Sequence, residues 1–334
     1  MARIGARWRA AARRGDTWYR RVATSLVWAV ATLLLVSLVT FLATNLTGAD
    51  AAHAALGRLV TPEQIELFRQ QQGLDEPIYW RYFVWLGNAL GGNWGISLQA
   101  KVDVGSLIAE RATRSVLLAS TALVIAVPIA FILGSVAAVR PGGRADSVIS
   151  TTALLVIGLP EFVVGLGVMY LFAVWLRILP PNSTGMTSAD VVVQLKAFIL
   201  PTLTLTLLLI PYILRMVRSS FRETIATPYV QAAIARGVST PRLLAVHVLP
   251  NTLGPVINVV ALSLAEVLAG VAVIETVFGL PGLGQLTVFA VATVDYPVIQ
   301  ACVMIAACGF VVVNLTADAL IVLSNPRLRR EALK

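Results

Sequence analysis

Charge is thin in this chain. Acidic and basic side chains make up 13% of its 334 residues, against 57% hydrophobic, whereas a soluble domain carries about 25% charge. The shortage excludes an ordinary water-soluble globular protein and points to a lipid bilayer as the surrounding solvent. Histidine and cysteine are rarer still, with two of each. Cys302 and Cys308 stand six apart in an apolar run, a spacing that on a helix separates them by about 240° and roughly 9 Å, so it implies neither a disulfide nor a metal site. His53 and His247 add no Cys/His cluster, which leaves no donor set for a catalytic metal. Missing too are a G-x-x-x-x-G-K-[ST] nucleotide loop and an H-E-x-x-H metal motif. The absence of a nucleophile paired with a base, and of any internal repeat, removes the signatures of an intramembrane hydrolase and of an inverted-repeat secondary transporter.

What is abundant is apolar sequence in long runs. Six stretches reach the length of about 20 residues needed to cross a hydrocarbon core of about 30 Å: residues 22–46, 115–139, 147–176, 196–214, 253–278 and 298–323. The first is too long for the core of a cleavable signal, about 7 to 15 residues, and reads as a retained anchor. The formal charge of +9 could suggest nucleic acid, but the arginines cluster beside apolar runs, as topology determinants do, and no nucleic-acid partner is expected. With both termini and the loops at 140–146 and 215–252 in the cytoplasm, 18 of the 26 basic residues lie inside, which the positive-inside rule favours. The expected organisation is all-α and polytopic. It has a cytoplasmic arm (1–21), a first transmembrane helix (22–46), an extracytoplasmic loop (47–114), a five-helix core (115–323) containing a cytoplasmic loop at 222–252, and a cytoplasmic tail (324–334).

In the outer loop, "TPEQIELFRQQQGL" places Thr61 as N-cap, Pro62 at the first helical position and Gln64 in capping-box register, predicting a short surface helix that stops near Gly73. Tyr79, Trp80, Tyr82, Phe83, Trp85 and Trp94 follow, a crowding typical of an amphipathic segment at a membrane interface. Ionisable groups inside spans are costly and are functional candidates. Glu161 follows Pro160 mid-span, where a kink and a carboxylate could line a pathway or bond a neighbouring helix. Glu266 has the same two readings. Glu275 precedes Gly279, Gly282 and Gly284, which suggest a tight non-helical loop buried in protein and a structural or gating role. Asp318 is expected to pair with an arginine or cap a neighbour.

The cytoplasmic loop "YVQAAIARGVSTPRLLAVHVLPN" sets small Ala232, Ala233 and Gly237 ahead of a break at Ser239, Thr240 and Pro241. Two short helices with a turn at Gly237, the second over 242–248, would lie along the membrane. The small side chains would admit another protein's surface, with Arg236 and Arg242 at the rim; a solvated connector is the other reading.

At this loop the chain resembles the permease subunits of bacterial ABC importers, which carry Glu-Ala-Ala, three residues, Gly, nine residues, an aliphatic residue, one residue, Leu-Pro. Gln231, Ala232, Ala233, Gly237, Leu249 and Pro250 stand at those spacings, with Gln for Glu and His247 at the aliphatic position. "GLDEPIYWRYFVWLGNALGGNWGIS", "VIETVFGLPGLGQL", "DYPVIQA" and "NLTADALIVLSNPRLR" are similar to the dipeptide, oligopeptide and nickel branch, in the first-permease position. Where relatives carry a Pro-Gly-Asp-Pro element, this chain has "TGADAAHAAL". The resemblance implies a type I importer permease fold and a loop that couples to a cytoplasmic ATPase. It also implies a second homologous permease subunit, two ATPase subunits that bind the ATP and Mg²⁺, and an extracytoplasmic binding protein. This subunit itself would hold no cofactor and perform no catalysis. The implied cargo is peptide, with nickel chelates, glutathione or another small peptide-like solute as alternatives. A transporter working alone and a membrane-embedded enzyme or scaffold are the rivals of another class.

Overall fold

The computed structural model describes residues 2–46, 61, 63 and 76–324. The predicted surface helix after Thr61, the start of the outer loop and the tail from 325 lie outside the described residues. The first helix, α1 (Ala2–Leu46), merges the expected arm and first span into one rod. Its described side chains meet the rest of the chain at two places, the last helix and the aromatic segment. Gln300 Nε2 donates to Thr44 Oγ1 at 2.6 Å and Ser25 Oγ to Asp318 Oδ2 at 3.2 Å, so α1 runs antiparallel to the last helix while its other faces, such as Trp28 and Leu35, stay exposed. That is the expected arrangement of a helix outside a core of five. The expected arginine or cap for Asp318 is replaced in this contact by a serine of α1. The aromatic segment forms α2 (Ile78–Leu90), docked on α1 through a 2.8 Å Ser37–Tyr82 hydroxyl contact, an Arg81–Asn45 hydrogen bond and Phe41 against Tyr82 and Trp85. Tyr79, Trp80 and Phe83 point away from this contact and are exposed, as an interfacial helix requires.

The core is organised around α3 (Val104–Val139) and α6 (Val191–Ile225). Ala122, Ala126, Ala130, Gly134 and Ala138 recur every fourth residue on α3 and are all buried. Such a ridge lets two backbones approach without side chains between them, the main attraction available where lipid tails are as apolar as the protein. At Gly134 the approach leaves no room for a side chain: a Cβ there would meet Val217 Cβ at 2.8 Å and the Leu214 carbonyl at 2.9 Å.

One of the six expected spans, and the loop before another, differ in form. The span over 147–176 is broken into α4 (Arg144–Gly158) and α5 (Glu161–Met169, continued by a π turn, Tyr170–Trp175), bent by 105°. Pro160 offers no N–H and forces its predecessor out of helical backbone, and Leu159 is accordingly extended at φ −91°, ψ 137°. The loop at 222–252 holds α7 (Pro228–Ala235), but the expected second short helix is not a separate one. Thr240–Arg242 and a π turn over Leu243–Val248 run straight into α8 (Leu249–Phe278), with Pro250 inside the first turn. The π turn is the physical reason: Pro250 cannot donate and its ring crowds the carbonyl four residues back, and a widened turn, in which Leu249 N–H reaches Leu244 C=O, absorbs the conflict without ending the helix. After α8 the chain turns at Gly279 and sends α9 (Leu283–Thr293) back at 83°, before α10 (Tyr296–Ser324) completes the bundle. α9 is about 16 Å long, too short to span by itself.

Candidate functional site

The loop at 222–252 begins where α6 ends. Pro228 opens α7 at a position where its missing N–H costs nothing, and Gln231 Nε2 donates back to the Ile225 carbonyl at 2.8 Å, capping the end of α6. This bond explains the glutamine: a carboxylate at 231 could not donate. The helix closes at Gly237, whose φ of +76° is left-handed. The N–H of Gly237 reaches Ile234 C=O at 2.9 Å and that of Val238 reaches Ala233 C=O at 3.2 Å, so the turn demands glycine for its backbone and not for space. Of the residues expected to form the docking patch, Gln231, Ala232, Arg236 and Gly237 face outward with Ile234, whereas Ala233 is buried with Val230 in the core. Leu249 and Pro250 stand in the first turn of α8, Leu249 half-buried and Pro250 exposed.

Next to this loop lies a buried carboxylate outside the sequence-stretch similarities. Asp146, in the first turn of α4, is 4% exposed. Arg218 grips it with Nε at 2.6 Å and Nη2 at 3.1 Å, and Arg222 adds Nη2 at 2.7 Å. Gly142 N–H at 2.9 Å and Ser150 Oγ at 3.2 Å complete its shell. Both arginines sit on the last turns of α6, so this cluster joins α4 to the segment that carries α7.

At the opposite end, Glu275 on α8 is fully buried. It accepts from Ser115 Oγ at 2.5 Å and from Gln285 N–H at 2.9 Å, while Ser115 Oγ in turn accepts Leu283 N–H at 2.8 Å. Those N–H groups are the orphan donors at the start of α9, where a carboxylate is favoured. A Cβ at Gly282 would run into the Glu275 carboxylate and one at Gly284 into the Ala272 backbone, so two of the three glycines serve close approach. The third, Gly279, turns the chain at φ +63°. The non-helical part of the expected loop is short, because Gly284 already belongs to α9. Beyond α9, Asp295 takes Ser97 Oγ at 2.5 Å and the N–H groups of Leu98 and Gln99 at 3.1 and 3.2 Å, pinning the outer segment to the base of α10.

A long small-residue bundle with an exposed glycine-turned helix between two core spans is the geometry against which known proteins can be compared. Residues 126–330 match the family described as binding-protein-dependent transport system inner membrane component, and residues 19–112 match the N-terminal family of the same membrane components. The chain belongs to this family. It is 32% identical over 304 residues to the probable peptide ABC transporter permease protein y4tP of Sinorhizobium fredii, covering 91% of this chain and 97% of that one. It is 34% identical over 300 residues to the glutathione transport system permease protein GsiC of Escherichia coli K12, covering 90% and 95%. A solved structure titled as inward-facing conformations of the MetNI methionine ABC transporter superposes with a TM-score of 0.52 at 19% identity, over 66% of this chain and 96% of that one, a likeness of fold.

The pathway candidates of this permease are scattered. Pro160 caps α5 and Glu161 is exposed in its first turn, beside the 105° break. Glu275 is committed to holding α9 and faces no open space. The side chain of Glu266 lies outside the described residues. Sequence reasoning missed Asp146, Ser115 and Asp295, together with their partners. Asp146 carried one legible signal, a lone acid between the loop arginines Arg140 and Arg144 and the start of an apolar run.

Proposed function

We propose that this chain is the transmembrane permease subunit of an ATP-driven importer of peptides in the bacterial inner membrane. Its loop at 222–252 seats in an ATPase, and a second permease subunit completes the pathway. The observation that carries this reading is α7 itself, an exposed eight-residue helix ended by a left-handed Gly237 and braced on α6 by Gln231. Closure of two ATPase subunits, which hold the ATP and Mg²⁺, pushes on α7 and the motion passes into α6 and α8. The chain supplies no catalytic group and binds no cofactor. Both termini and α7 face the cytoplasm, and an extracytoplasmic binding protein delivers cargo at the α9 end. Glu161 lines the pathway at the helix break. Glutathione, itself a small peptide, is the second cargo reading, supported by the relative of that name.

The test is extraction from the native membrane in mild detergent, with mass spectrometry of the bound chains and ATPase activity before and after Gly237→Arg. ATPase subunits that co-purify with the native chain and are lost from the variant are the expected result. A chain that purifies alone, transports without nucleotide and ignores the substitution overturns the reading in favour of a transporter working by itself. Labelling of single cysteines placed near each terminus and at Ala232 checks the orientation.

A further inference from the structure

We propose that Asp146 is a positioning residue of transport, the link that carries motion of the coupling helix into the broken span. This inference rests on the importer reading above and deepens it. α7 is joined to α6 by a two-residue turn, Ala226 and Thr227, and by the Gln231–Ile225 bond. Displacement of α7 is therefore displacement of the last turns of α6, where Arg218 and Arg222 stand. Those two guanidinium groups hold Asp146 by three charge-assisted bonds of 2.6 to 3.1 Å, and Gly142 N–H and Ser150 Oγ fix the same carboxylate to its own loop and helix.

From Asp146, α4 runs as one rod to Gly158, about 20 Å at 1.5 Å per residue. It ends at the 105° break that presents Pro160 and Glu161. A rod gripped at one end and broken at the other is a lever: a shift of α6 swings the break. α5 beyond the break packs on α6 and α8 near Gly165, which lies within 3.6 Å of Val277, Phe278 and Thr204 for an added Cβ. The swing therefore acts inside the bundle. A carboxylate used only for stability would not need to join the segment that feeds the coupling helix to the segment that ends at the break.

The experiment uses the complete importer in proteoliposomes and compares the native chain with Asp146→Asn, which keeps the shape and removes the charge. Peptide uptake and ATP hydrolysis are measured together. The expected result is a complex that assembles and hydrolyses ATP within about twofold of native, with uptake per ATP reduced about tenfold. The exchange Asp146→Arg with Arg218→Asp should recover at least a third of the native ratio. Arg222→Gln, which leaves the two-pronged Arg218 contact in place, gives an intermediate ratio and serves if Asp146→Asn does not assemble. Hydrolysis and uptake that fall in proportion, or a ratio that stays native in all variants, overturn the proposal. A native complex that shows no ATP-dependent peptide uptake overturns the importer reading instead, and the two failures are thereby distinguished.

Discussion

The two ends of this bundle each bury a carboxylate beside the start of a helix, Asp146 within α4 and Glu275 on α8 facing α9, and they satisfy it by opposite means. At the α7 end, Asp146 is met by two arginines, each about a third exposed. At the α9 end, Glu275 is met by a serine hydroxyl and backbone N–H groups in full burial. Attraction between full charges falls slowly with distance, so an ion-pair joint tolerates a shift and re-forms. A hydrogen bond to a backbone N–H is directional and is lost within a fraction of an ångström beyond its range. The first arrangement suits a joint that moves under load, the second one that holds a short helix in place.

The comparison can be broken most severely at the α9 end. Gly284→Ala puts a methyl group against the Ala272 backbone, which cannot rotate away, and is expected to destabilise the protein by about 3 kcal/mol. Thermal unfolding in detergent measures this, and a loss under 1 kcal/mol would show that α9 is free to shift. Asp146→Ala leaves two guanidinium groups facing each other and is expected to cost about 2 to 3 kcal/mol, below the full cost of breaking a buried pair because the arginines are partly solvated. That loss should shrink in about 1 M salt, where charges are screened within about 3 Å. Ser115→Ala removes the donor to Glu275 and the acceptor of Leu283 N–H, for an expected loss of about 1 to 2 kcal/mol that salt does not change. Hydrogen exchange should rise over 275–290 in this variant and over 140–150 in Asp146→Ala, and exchange that rises equally at both ends would erase the distinction. The smallest effect is expected for Gln231→Glu, which loses the bond to Ile225 for about 1 kcal/mol. Exchange confined to 223–237 would report it.

Sequence reading was strongest where the cause is local. The left-handed turn at Gly237 follows from a glycine between a small-residue helix and a Ser-Thr-Pro break, and Pro160 marked the site of the bend. The bend's size was not legible, since a proline-kinked rod and a 105° break share one hydropathy profile. The second short helix of the loop was expected after the break at Ser239, Thr240 and Pro241, yet a π turn kept it running into α8. α9 was overlooked because eleven residues, Gln285, Thr287 and Thr293 among them, are too few to cross and carry no signal of the sharp turn before them. Ala233 was placed on the docking patch by its small size, and only packing with Val230, Leu243 and Val248 turned it inward.

By itself the sequence determined the solvent, the apolar spans, the family and the glycine-turned helix between two spans, because hydropathy, proline and glycine act within a few residues of where they stand. Only the tertiary structure decided what its carboxylates do. Asp146 is 72 and 76 residues from its arginines and Glu275 is 160 from its serine, and a buried charge acquires its role from whichever groups packing brings within about 3 Å.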